Sequence, residues 1–138
     1  MLIDKDLFWK EGFVLVKGVF TDDEVRYYRD LLVKHSKLTD ESFYDKRNWT
    51  EVDGVSKHIE FWPLIYNKNL LEAVRNILPT APRYLQYSDL HVHYGSVGWH
   101  RDIRWDNGAG GNGKIGALRV AMYFQSFEES NFKMGVMP

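Results

Sequence analysis

Tyr84-Leu85-Gln86-Tyr87-Ser88-Asp89-Leu90-His91-Val92-His93-Tyr94-Gly95-Ser96-Val97-Gly98-Trp99-His100-Arg101-Asp102 decides the fold class of this chain. Apolar and polar residues alternate here, which is the signature of extended backbone whose side chains point to opposite faces in turn. Tyr87, Asp89, His91 and His93 fall on one face of such a strand. Gly95 turns the chain, and 97–100 begin a second short strand. There, His100 and Asp102 are separated by one residue, so an imidazole and a carboxylate project to the same side. That is two-thirds of a 2-His-1-carboxylate metal donor set. No histidine follows His100 in the sequence.

On the N-terminal side the pattern is helical. The run 13–20, Phe-Val-Leu-Val-Lys-Gly-Val-Phe, reads as a strand leaving through Gly18. Thr21 and Glu24 then fit a capping box, and Val25, Tyr28, Leu31 and Leu32 recur at helical spacing, which predicts a helix over about 22–36. Residues 37–57 are polar and irregular and read as a loop with short strand pieces. Residues 58–62 read as a short strand. A second helix starts near Asn67 or Asn69, runs through Leu70, Leu71, Val74 and Ile77, and stops before Pro79. On the C-terminal side, 106–114 form a glycine-rich loop. Residues 118–124 carry a strong strand signal, 127–131 a polar turn, and 133–137 the start of another strand. Helices first and strands afterwards predict an α+β domain, with the helices packed outside an antiparallel sheet.

The chain has 138 residues, enough for one domain with its own core. A net charge of -1 gives no basic surface for nucleic acid. With no cysteine there are no disulfides, no thiolate metal sites and no cysteine nucleophile, and a reducing cytoplasmic setting is expected. Charged residues occupy the N-terminus where a signal peptide has an apolar run, and no apolar stretch is long enough to span a membrane.

The order of these features resembles the phytanoyl-CoA dioxygenase family of Fe(II)/2-oxoglutarate oxygenases. Residues 12–25, G-F-V-L-V-K-G-V-F-T-D-D-E-V, are similar to that family's opening strand and first helix. Gly98-Trp99-His100-Arg101-Asp102 resembles its W-H-x-D proximal metal motif. Residues 118–123 and 133–138 resemble the strand, turn and strand that lead to a P-G-S-H segment.

The resemblance implies a double-stranded β-helix (jelly-roll, cupin-like) fold. It also implies Fe(II) held by His100 and Asp102, and 2-oxoglutarate and dioxygen as co-reactants. A distal histidine and a cosubstrate-binding arginine belong to the family's pattern beyond the last matched segment. The sequence ends at Pro138, so residues 1–138 are expected to form a single incomplete oxygenase domain. Related halogenases lack the carboxylate of the proximal motif. Asp102 therefore favours hydroxylation of a small organic substrate. The rival expectation is a catalytically dead cupin-like binding module that binds no iron. Oligomeric state and substrate identity are not legible.

Tyr87, Asp89, His91 and His93 are candidates for contacts with 2-oxoglutarate or substrate; the plainer reading makes the histidines ordinary surface or core residues of a strand. Arg104 and Arg119 can meet an anionic group, whereas alternation turns Arg101 away. Trp99 and Trp105 wall the pocket or simply pack. Residues 108–114, G-A-G-G-N-G-K, match the start of a phosphate-binding loop. Ile115 stands where Ser or Thr would bind magnesium, and a strand follows instead of a helix, so a substrate loop is the better reading.

Overall fold

The computed structural model describes residues 3–37, 48–78, 80–92, 98–100, 117–126, 128 and 134–136. Its element order is mixed helix and strand. Helix α1, Lys5–Glu11, stands where the sequence pattern predicts no element. Asp4 caps it by accepting from the Leu7 amide at 2.8 Å, and Gly12 closes it with φ 80°. A left-handed residue at that position suits glycine, which has no Cβ to clash.

Helix α2, Asp22–Ser36, matches expectation at both ends. The Glu24 amide donates to the Thr21 hydroxyl at 3.3 Å, and the Thr21 amide donates to the Glu24 carboxylate at 2.8 Å. These two bonds satisfy amides that no helical carbonyl reaches. The hydrogen bonds from Thr21, backbone first, hold the Glu24 carboxyl below its ordinary pKa.

Strand β1, Trp49–Glu51, pairs antiparallel with β2, Leu90–Val92. Between them lie α3, Gly54–Lys57, a 3₁₀ turn at Ile59–Phe61, α4 at Trp62–Tyr66 and α5 at Lys68–Ile77. Asn67 caps α5 by accepting from the Leu70 amide at 3.0 Å. Helix α1 packs against α5. The core gathers Tyr28 and Leu31 from α2, Val55 from α3, Phe61 and Leu64 from the next two elements, Leu90 from β2, and Phe124. The architecture is α+β.

Several expected strands take other forms. Residues 58–62 fold as the 3₁₀ turn and the start of α4. Phe61, Leu64 and Ile65 point inward at helical spacing, and Pro63 stands in the first turn of α4, where its fixed φ favours a helix start. Residues 13–18 and 117–123 belong to no strand, although β-branched and aromatic side chains crowd both. Strand propensity expresses side-chain packing on a paired surface, and among the described residues neither segment has a ladder partner. The long strand expected from residue 83 shrinks to three residues. Gln86 takes φ 55°, which interrupts the extended run. Residues 98–100 and 134–136 are likewise outside any strand. The expected loop over 106–114, and all of the expected turn over 127–131 except Glu128, lie outside the described residues.

Candidate metal centres

The expected site is described in part. Arg101, Asp102, Arg104, Trp105 and His93 lie outside the described residues. His100 is exposed, and its Nδ1 stands 2.8 Å from the Gly98 carbonyl oxygen. A carbonyl only accepts, so Nδ1 carries the proton and in the neutral ring the lone pair sits on Nε2. Trp99 is 73% exposed, and its ring edge lies 3.0 Å from where a Cβ on Gly135 would stand. It therefore packs on backbone at the surface rather than in the core.

Four of the remaining candidates are brought together. The Arg119 guanidinium lies over the Tyr87 ring at 5.9 Å, a cation–π arrangement. Both Arg119 and Asp89 are close enough to His91 to act on its charge. Asp89 also accepts from the Asp53 amide at 3.0 Å, and Asp53 accepts from the Ser88 amide at 3.3 Å. This exchange ties the turn after β1 to the approach to β2. His91 Nδ1 meets the Thr50 hydroxyl of the paired strand at 3.0 Å.

Neighbouring atoms exclude water from part of the His91 ring and lower its pKa below the ordinary 6.5; Asp89 opposes the shift and Arg119 adds to it. The folded chain then binds fewer protons here than the unfolded one. Its contribution to stability is complete above the ordinary histidine pKa and is lost as pH falls through the lower folded value. Thermal melts between neutral and mildly acidic pH should show this loss, and His91→Gln should flatten that limb. An identical acid limb in the variant would remove His91 as its origin.

A second group of ligand-type side chains lies outside the expected site. His35, His58 and Glu60 each place a ligand atom within 4.8 Å of the others. His35 comes from the last turn of α2, His58 precedes the 3₁₀ turn, and Glu60 lies in it. The two imidazole rings are 4.2 Å apart, centroid to centroid, and tilted by 51°. Both lean on the Phe61 ring, at 5.4 and 6.4 Å. His58 Nε2 donates to the Glu51 carboxylate of β1 at 2.9 Å. His35 Nε2 stands 3.9 Å from the Glu60 carboxylate. The available signal was His58-Ile59-Glu60, which has the same one-residue spacing as His100-Arg101-Asp102.

No helix among the described residues is long and apolar enough to cross a membrane. No family model, no curated protein and no solved structure matches the chain.

Proposed function

We propose that this chain belongs to a non-haem Fe(II)/2-oxoglutarate-dependent hydroxylase of the double-stranded β-helix class, with His100 and Asp102 as two of its metal ligands. The observation that carries the reading is the orientation of His100. Its Nδ1–H is spent on the Gly98 carbonyl, and this selects the tautomer whose Nε2 binds a cation. An imidazole and a carboxylate one residue apart in the sequence are a donor pair that suits Fe(II). Bound iron would supply the activation of dioxygen that couples cosubstrate decarboxylation to hydroxylation.

The chain's own residues bind and orient. Arg119, steadied over Tyr87, offers a cation to the carboxylates of 2-oxoglutarate or of an acidic substrate. His91 stands within the influence of Arg119 and, kept neutral by its lowered pKa, acts as a hydrogen-bonding group rather than a second cation.

Anaerobic calorimetric titration with Fe(II) tests the assignment. His100→Ala and Asp102→Asn should each weaken the same binding component by at least about tenfold, since each removes a ligand. Isotherms unchanged by both substitutions would favour the rival, a cupin-like binding module without iron.

A further inference from the structure

We infer that His35, His58 and Glu60 form a separate metal site for a divalent transition cation of the zinc class, with Glu51 orienting the His58 ring. None of these residues belongs to the W-H-x-D motif. The donor set argues for the cation class. Two imidazoles select zinc-like ions over magnesium or calcium, which take oxygen ligands.

The geometry argues for a ligand rather than a hydrogen-bond network. The 3.9 Å separation of His35 Nε2 and the Glu60 carboxylate is too long for a hydrogen bond. Ligands at about 2.0–2.1 Å from one tetrahedral ion stand about 3.3 Å apart. A small rotation of the Glu60 side chain, which is 45% exposed, closes that difference. The two imidazole rings already stand 4.2 Å apart, centroid to centroid. His35 is anchored in a helical turn, and both rings rest on Phe61, which is fully buried.

Glu51 supplies the outer support that metal-bound histidines characteristically have. It accepts the Nε2 proton of His58 and so leaves the lone pair of the neutral ring on Nδ1. The ligands come from segments far apart in sequence, the end of α2 and the turn after α3. A bound ion would therefore cross-link them.

Zinc titration of the chelator-treated chain in a His100→Ala background reads this site apart from the W-H-x-D motif. Saturation at one zinc equivalent is expected. Adding His35→Gln or Glu60→Gln should each weaken binding at least about tenfold, and Glu51→Gln should weaken it by a smaller factor. Saturating zinc should raise Tm by roughly 5–10 °C, and the Glu60→Gln variant should lose that rise. Glu60 is half-exposed, so this variant is expected to melt normally without zinc, which separates ligand loss from misfolding. Co(II) should give visible absorption bands that vanish with His35→Gln. Zinc binding unaltered by His35→Gln and Glu60→Gln, or no binding and no Tm shift at millimolar zinc, would overturn the site and leave an imidazole–carboxylate network only.

Discussion

Phe61→Ala is expected to destabilise the fold by about 3–5 kcal/mol, a large part of the roughly 5–15 kcal/mol typical of a whole domain. Phe61 is 0% exposed. Its ring stacks near Tyr28 at 6.3 Å and supports both His35 and His58. Alanine would remove most of that volume where α2, the 3₁₀ turn and β2 meet. The close-packed neighbours relax only in part, so a cavity remains. Urea denaturation followed by far-ultraviolet circular dichroism measures the loss. A shift below about 1 kcal/mol would mean that the site collapses freely and that Phe61 is not the keystone of this core. Phe61→Leu, which keeps much of the volume, should lose considerably less.

Gly54→Ala should also destabilise, although it replaces glycine at the start of a helix. An added Cβ would stand 2.7 Å from both Cγ and Cδ1 of Leu90 and 3.2 Å from its Cβ. Leu90 is 5% exposed, so it has little room to retreat. The gain from helix propensity is at most about 1 kcal/mol, and smaller in a first turn. Overpacking costs about 1–3 kcal/mol, so the overlap wins. The diagnostic is a double-mutant cycle. Combined with Leu90→Ala, Gly54→Ala should lose most of its penalty, because the two atoms at 2.7 Å are gone. Gly54→Ala melting at or above the parent temperature would contradict this close approach.

The two longest helices were legible because their signals are local. Thr21, Glu24 and the spacing of Tyr28 and Leu31 lie within three turns of one another, and Asn67 sits directly before α5. Helix α1 is not legible in the same way, because seven residues are too few to show a periodic apolar face. Asp4 is in fact its cap. Strands are less legible. Residues 13–20 and 118–124 carry the composition of strands, but pairing depends on partners elsewhere in the chain. The segment 58–62 misled by its β-branched and aromatic content, although Phe61, Leu64 and Ile65 already had helical spacing. Of the expected site, His100 gained an orienting partner, and Tyr87, Asp89, His91 and Arg119 came together. Of the His35–His58–Glu60 group, the sequence shows only the His58-Ile59-Glu60 spacing; His35 joins it through the fold, from the last turn of α2.

The pairing of β1 with β2 has a consequence for fidelity of assembly. Only three residue pairs define it: Trp49 with Val92, Thr50 with His91, and Glu51 with Leu90. Leu90 and Val92 face the core while His91 faces out. Sliding β2 by a single residue would turn both apolar side chains to solvent, forfeiting about 1.5–3 kcal/mol for each, and would press the imidazole into an apolar interior. It would also break the reciprocal bonds of Asp53 with Ser88 and Asp89, which clamp the strand from its approach. A ladder this short carries little preference of its own. The misaligned neighbours are excluded by what the flanking side chains would lose, so this pair has one permissible alignment.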